Sequence, residues 1–184
     1  AKRVVNQWDL VADPGDPGRT VATLTTHIEP AAGPRGRVGT KVLVALQAGR
    51  YDTVGEDLVN HSVNDILVHG AKPLAFMDYV AGAKLTVQEI AGIVEGVARG
   101  CRAHRMALAG GETAQMPGLY QPGHFDLAGT IIGVVEEEEA LHGDRVQPGD
   151  VLLAYASTGL HTNGYTLARR VIFDVMKLQL ADRL

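Results

Sequence analysis

The stretch GEDLVNHSVNDILVHG, residues 55–70, decides the fold assignment, because its pattern is that of a helix with two distinct faces. At about 100° per residue, one sector carries four short polar side chains: Asp57, His61, Asn64 and Asp65. The opposite sector carries four apolar ones: Val59, Val63, Ile66 and Leu67. Gly70 and Pro73 are typical of the end of a helix.

The polar sector of this helix has an unusual composition for a solvated face. Exposed helix faces usually carry Lys and Glu, whereas Asp and Asn are poorer helix formers. Short oxygen ligands on one rigid face suit a hard cation such as Mg²⁺. The alternative at this point is an ordinary amphipathic helix whose polar side faces water.

Composition narrows the class of protein. The chain has 184 residues and a net charge of −4, so it has no excess of positive charge that would attract nucleic acid or an acidic membrane. A single cysteine, Cys101, reads as a small core residue and fits a reducing cytoplasm. No apolar run approaches the roughly 20 residues that span a bilayer, and the N-terminal residues do not read as a signal peptide. Glycine is frequent, 22 of 184 residues, which favours close backbone approach to a ligand.

The rest of the chain alternates strand and helix patterns. Residues 1–20 are mixed and hold a turn cluster at 13–18, and residues 30–37 form a loop. An apolar run at 42–47 is a strand or the start of a helix. A helix over 87–104 begins at an N-capping Thr86, with Glu89 completing a capping box. Strands are predicted at 20–28, 73–80, 106–109, 127–135 and 151–155, a long loop at 112–126, a solvated turn at 136–139 and a helix at 166–182.

This order predicts an α/β or α+β fold built on a mixed sheet. We expect a domain boundary near 140–148, because the segment VQPGD at 146–150 contains the Pro-Gly pair that is typical of a turn or loop. Residues 1–145 then form one domain. Residues 146–184 are too few for a second and read as its incomplete beginning.

Several further residues could carry chemistry. They are carboxylates near element ends or in loops: Asp52, Asp78, Glu112 and Asp126. The segment GGET at 110–113 follows a strand, and HTNG at 161–164 is a phosphate contact or an Asn-Gly turn. The stretch GRVGTK at 36–41 is neither a Walker A loop nor a dinucleotide fingerprint, so a nucleotide would bind through acidic residues and a metal. Lys41 is either a phosphate contact or an exposed lysine.

Taken together, ordered motifs over about residues 38–175 resemble the aminoimidazole ribonucleotide synthetases, which are phosphoribosylformylglycinamidine cyclo-ligases. The matching segments are DTVGEDLV at 52–59, VND at 63–65, GAKPL at 70–74, GGETAQMPG at 110–118, FDLAG at 125–129 and STGLHTNGY at 157–165. The family implies an N-terminal domain that dimerises through its sheet, with helices on one face, followed by a C-terminal domain that only begins here.

The resemblance implies an ATP-dependent ring closure of formylglycinamidine ribonucleotide in purine biosynthesis, with Mg²⁺ at the phosphates. Asp57 and Asp65 would be metal ligands, and Asp65, Glu112 and His161 catalytic residues. The resemblance places seven residues at ATP or substrate: Lys41, Asp57, Asn64, Gly110, Gly111, Thr113 and Asn163. The implied partners are the nucleotide substrate and a second copy of the chain in a homodimer.

Two departures from the family pattern leave alternatives open. Family members carry DGVGTK where this chain has GRVGTK, so Gly36 replaces a carboxylate, and Gln115 stands in place of a glutamate. The alternatives are another ATP-using enzyme of the superfamily, of the formylglycinamidine ribonucleotide synthetase, selenophosphate synthetase or thiamine-phosphate kinase type, or a truncated, non-catalytic dimerisation module.

Overall fold

The computed structural model describes residues 5–13, 16–27, 40–161 and 163–183, with side chains described from residue 41 onward. The elements run in chain order as β1 Val5–Asp13, β2 Asp16–His27, α1 Thr40–Ala48, α2 Asp52–Leu67, β3 Lys72–Gly82, α3 Val87–Ala103, β4 Ala107–Gln115, β5 Phe125–Glu136 and α4 Tyr165–Arg169. A 3₁₀ turn at Glu137–Glu139 and a π-helical turn at Arg170–Val175 complete the description. The segment 28–39, which includes the predicted loop and Gly36, lies outside the described residues.

Five strands form one mixed sheet in the order β1-β2-β5-β3-β4. Strand β5 is central and runs antiparallel to both of its neighbours, whereas β3 and β4 are parallel and joined by α3. Helix α2 packs on the same face of the sheet as α3, because it contacts α3 and its Ile66 side chain contacts the β5 backbone at Gly133. The predicted mixed α/β sheet with helices on one face is confirmed.

The N-terminal hairpin was not predicted: residues 1–20 were interpreted as mixed with a turn cluster at 13–18, whereas residues 5–13 form β1 and residues 16–20 begin β2. Strands β1 and β2 pair antiparallel from Val5 opposite His27 to Asp13 opposite Asp16. Pro17 and Gly18, which suggested a turn, lie in β2 before its pairing with β5 begins at Arg19. Proline is tolerated in a strand where its missing N–H is not required by a neighbour.

Helix α2 follows the predicted pattern over most of its length. Val59 and Ile66 are fully buried, and Val63 is 7% exposed. Leu67, assigned to the apolar face, is 60% exposed, so that assignment is wrong. Its position, about 100° beyond Ile66 in the last turn, rotates its side chain away from the sheet. Gly70, with φ +79°, follows the end of the helix as predicted.

Helix α3 begins with the predicted capping box. The Thr86 hydroxyl accepts from the Glu89 N–H, and the Glu89 carboxylate accepts from the Thr86 N–H. Helices α2 and α3 lie very close, because a Cβ at Gly55 would overlap the Ile93 carbonyl oxygen and one at Gly96 would overlap that of Asp52. Cys101 is 2% exposed, in keeping with a core residue.

Strand β4 is longer than the sequence suggested. It continues through Gln115, since Gly110 and Gly111 pair with Met77 and Asp78 of β3. The loop predicted at 112–126 therefore shrinks to residues 116–124. The apolar run at 42–47 belongs to helix α1.

Beyond residue 140 the described chain has little regular structure. The strand predicted at 151–155 is absent, and Leu152 and Tyr155 are 95% and 97% exposed. No strand elsewhere in the described ranges pairs with this run, and an unpaired strand does not persist in water. The helix predicted over 166–182 is also wrong in length, because regular helical structure ends at Val175. None of the described helices is long and apolar enough to cross a membrane.

Candidate functional site

The polar face of α2 meets helix α1 through an ion pair. The Lys41 Nζ lies 2.7 Å from Asp57 Oδ2, and the lysine side chain is 18% exposed. The same ammonium lies 5.1 Å from the centre of the Tyr165 ring, at the start of α4. Burial, and then the charge of Asp57, raise the pKa of Tyr165. Lys41 is therefore not a free surface lysine but the centre of a charged contact among three elements.

One turn further along α2, His61 and Asp65 form a second pair. His61 Nε2 lies 3.3 Å from Asp65 Oδ2. That oxygen is buried and accepts no hydrogen bond within the part of the chain that the structure describes. Burial raises the pKa of Asp65, and the nearby His61 opposes the rise. Asn64, between them in sequence, is exposed.

The two predicted metal ligands, Asp57 and Asp65, cannot share a single Mg²⁺ ion. Asp57 and Asp65 are eight residues apart, about 12 Å along the helix axis, so one ion cannot touch both. Within the described residues, no three His, Cys, Asp or Glu side chains converge as a metal cluster. The buried Asp65 oxygen without a hydrogen bond suits one ligand of an ion whose remaining ligands are phosphates and water, which is a common magnesium arrangement.

The GGET segment lies on the edge strand β4, and all four of its residues are exposed. Glu112 Oε1 accepts from the Thr113 N–H at 3.1 Å. A Cβ at Gly111 would overlap the side chain of Asp78 on the helix side of the sheet, so Glu112 points to the opposite side. No described contact joins Glu112 to the polar face of α2.

His161 and Asn163 lie in the exposed segment that follows the sheet. His161 Nε2 lies 2.8 Å from the Ser157 Oγ, which also donates to the Gly159 carbonyl. Asn163 is exposed, and Gly164, with φ +83°, leads into α4. The structure therefore connects this segment to α2 through Tyr165 and Lys41.

Two other carboxylates that the sequence singled out, Asp52 and Asp126, contact neighbouring side chains. Arg99 donates to Asp52 at 3.0 Å and to Glu56 at 2.7 Å, which ties α3 to α2. Asp126 is 5% exposed and lies 3.5 Å from the Tyr120 hydroxyl. Burial, and then the charge of Asp126, raise the pKa of Tyr120 to about 12. Sequence reasoning missed Tyr120 and Tyr165, because no local pattern distinguishes them from other tyrosines.

The fold and these motifs are those of one protein family. The family described as "AIR synthase related protein, N-terminal domain" matches residues 13–135, which is two thirds of the chain. The chain belongs to this family.

Two curated relatives carry the same enzyme name. The chain is 54% identical over 142 residues to the phosphoribosylformylglycinamidine cyclo-ligase of Desulfatibacillum aliphaticivorans, covering 77% of this chain and 41% of that protein. It is 56% identical over 135 residues to that of Aromatoleum aromaticum, covering 73% and 39%. The chain thus spans about two fifths of the length of these relatives.

Among solved structures, one described as "AaThiL complexed with AMPPCP and TMP" has a similar fold. Its TM-score is 0.52 with 14% identity, covering 73% of this chain and 38% of that one. At this identity the likeness concerns the fold alone.

Proposed function

We propose that this chain is the N-terminal part of a phosphoribosylformylglycinamidine cyclo-ligase. The reaction closes the imidazole ring of formylglycinamidine ribonucleotide to aminoimidazole ribonucleotide, with ATP converted to ADP and phosphate. The observation that carries the proposal is 54% identity over 142 residues to a cyclo-ligase of that name. Since ATP and nucleotides are its reactants, the enzyme would act in the cytoplasm.

The phosphate side of the reaction is assigned to helices α1 and α2. Asp65 would hold Mg²⁺ through its buried oxygen, and Asn64 would orient the ion's water or phosphate ligands. Bound there, Mg²⁺ would neutralise phosphate charge. Lys41 would exchange Asp57 for a phosphate oxygen when the nucleotide binds, so Asp57 would keep the lysine in place rather than share the ion with Asp65. The AMPPCP named for the fold neighbour supports ATP as the nucleotide.

The substrate side is assigned to β4 and to the segment after the sheet. Gly110 and Gly111 have no side chains, and Thr113 and Glu112 are exposed beside them, so a ligand has access to this edge. Glu112 would act on the reacting group, because its carboxylate has no charged partner among the described residues. His161 and Asn163 would bind the substrate phosphate, and Tyr165 links their segment to Lys41.

Two features of assembly complete the proposal. Residues 1–145 would form the ATP-binding and dimerisation domain, and residues 146–184 would begin a second domain; the match covers 41% of the Desulfatibacillum relative, which is longer than this chain. The face of β5 turned away from the helices carries half-buried residues at 128, 130, 132 and 134, which supports a homodimer through the sheet. Ile132→Lys is expected to convert the dimer to a monomer in sedimentation equilibrium, with Leu152→Lys as the exposed control.

The test of the enzyme assignment is product formation. This chain would be assayed with formylglycinamidine ribonucleotide and Mg-ATP, beside a fusion to the remaining portion of the Desulfatibacillum relative. We expect the fusion to form aminoimidazole ribonucleotide and Lys41→Met in the fusion to lose most of that rate. A fusion that folds, binds Mg-ATP and forms no product would contradict the cyclo-ligase assignment. Absence of Mg-ATP binding would instead favour the non-catalytic dimerisation module.

A further inference from the structure

Asp78 is a carboxylate on the packed side of the sheet. It lies in the middle of β3, and its neighbours on the same face, Phe76 and Val80, are fully buried. Asp78 itself is half-buried. Among the described side chains it has no ion pair and no hydrogen-bond partner, and its own backbone N–H is the group that stabilises its charge. Carboxylates on such a face are normally paired.

The glycine opposite it in the sheet makes this position possible. Asp78 pairs with Gly111 of the edge strand β4, and a Cβ at Gly111 would overlap the Asp78 Oδ1 and lie 2.8 Å from its Cγ. The carboxylate therefore extends across the strand, into the space that any other residue at position 111 would fill. Gly111 is exposed, so the carboxylate reaches the solvent edge of the sheet at the GGET segment.

The surroundings leave the charge of Asp78 uncompensated. Burial raises the pKa of Asp78 above its ordinary value. The Cys101 thiol on α3 offers no counter-charge, because a thiol is either neutral or anionic; burial, and then the charge of Asp78, raise its pKa to about 11 and keep it neutral. A planar cation at the β4 edge would compensate the charge of Asp78, because it would give the carboxylate two charge-assisted hydrogen bonds.

We propose that Asp78 binds the amidinium group of the substrate in a two-point contact, and that Gly111 leaves room for the Asp78 carboxylate to reach it. The inference rests on the proposed function, whose substrate carries an amidine. The corresponding amide, formylglycinamide ribonucleotide, has the same size but no positive charge. Asp78 is thus assigned as the residue that selects the amidine over the amide, while the phosphates are held at α2.

Calorimetric titration of the full chain with the two nucleotides tests this assignment. We expect the amidine to bind at least about tenfold more tightly than the amide, because only it forms the charged pair. Asp78→Asn should abolish that preference, leaving the amide within about twofold of its original affinity. Glu95→Gln, an exposed carboxylate on α3, is the matched control and should keep the preference.

The outcomes separate this assignment from the enzyme assignment. An Asp78→Asn chain that still prefers the amidine, or an unaltered chain that binds both nucleotides equally or neither, overturns the role of Asp78. In each case product formation by the fusion remains an independent measure of the cyclo-ligase function. Circular dichroism of Asp78→Asn confirms that the variant is folded, and Mg-ATP affinity unchanged within about twofold confirms that the effect is confined to the amidine.

Discussion

Residues 40–140 and residues 141–183 are both rich in apolar side chains but differ in what surrounds those side chains. In the first region, Val59, Phe76 and Ile93 are fully buried between sheet and helices. In the second, Leu152, Leu153 and Tyr155 are 85% to 97% exposed. Both regions contain apolar residues, but only in the first do a sheet and helices pack against each other, so packing between layers accounts for the burial there. The four predictions below test this difference, from the largest effect to the smallest.

The largest effect is expected where α2 and α3 touch. Gly96→Ala places a methyl group on the Asp52 carbonyl, and the helices must separate, so we expect a loss of about 3 kcal/mol of unfolding free energy. Urea unfolding measures it. Gly92→Ala is the control, because its nearest atom is 3.5 Å away; it should gain up to about 1 kcal/mol from helix propensity. Similar midpoints for the two variants would contradict the close helix contact.

The next effect concerns binding at the structured region. Asp65→Asn removes the charge of the buried oxygen that we assign to Mg²⁺, so Mg-ATP affinity should fall about tenfold, or about 1.4 kcal/mol. Asp78→Asn, which lies on β3, should leave that affinity within about twofold. Isothermal titration compares the two variants. Equal losses would remove the assignment of separate phosphate and amidine positions.

Asp78→Asn should also stabilise the chain, which is unusual for a substitution in a packed region. The unpaired, half-buried carboxylate is expected to cost on the order of 1 kcal/mol at neutral pH. Because its folded pKa is raised, this cost is complete above the folded pKa and disappears as pH falls towards the ordinary value. The stability difference between variant and unaltered chain, measured by thermal unfolding at several pH values, should therefore close in acid.

Asp52 provides the opposite sign as a control. The hydrogen bond from Arg99 lowers its pKa, so its contribution to stability is present above the ordinary value and is lost as pH falls through the lowered one. Asp52→Asn should accordingly destabilise the chain at neutral pH. If both variants shift the unfolding temperature in the same direction, the unpaired state of Asp78 is wrong.

The smallest effect is expected in residues 141–183. Leu152→Ala should change the unfolding free energy by less than about 0.5 kcal/mol, because its side chain is 95% exposed. Ile93→Ala, at a fully buried position, should cost about 3 kcal/mol. In the fusion to the remaining portion of the relative, a marked destabilisation by Leu152→Ala would indicate that residues from the relative cover this side chain.

The features that could be predicted from the sequence are those with local causes. The capping box of Thr86 and Glu89 and the periodic burial of α2 depend on residues a few positions apart, and both are observed. The prediction that Leu67 is buried was wrong, because its position one residue after Ile66, at the end of α2, turns its side chain away from the core. The strand predicted at 151–155 is absent because a strand needs a neighbouring strand to pair with, and the composition of the segment does not provide one.

In the candidate site, too, local features could be predicted from the sequence, whereas contacts between residues far apart in the chain could not. The acidic face of α2 could be identified from spacing alone. The contact of Lys41 with Tyr165 joins residues 124 positions apart, and the space for Asp78 at Gly111 depends on the β3–β4 register. Neither follows from a local pattern, because each is set by how distant elements meet.

The central position of β5 has a consequence for synthesis on the ribosome. Strand β2 ends at His27, yet its second neighbour, β5, begins at Phe125, so the antiparallel ladder between them cannot form until nearly a hundred further residues have been made. At about 5–20 residues per second, that interval is roughly 5 to 20 seconds. Until then β2 has only β1 as a partner from this sheet, and because a two-stranded hairpin alone is marginally stable in water, the edge of β2 that later pairs with β5 is open to other nascent chains. Emergence of β5 therefore completes two ladders at once, one with β2 and one with β3, and covers the edge of β2 that had been open.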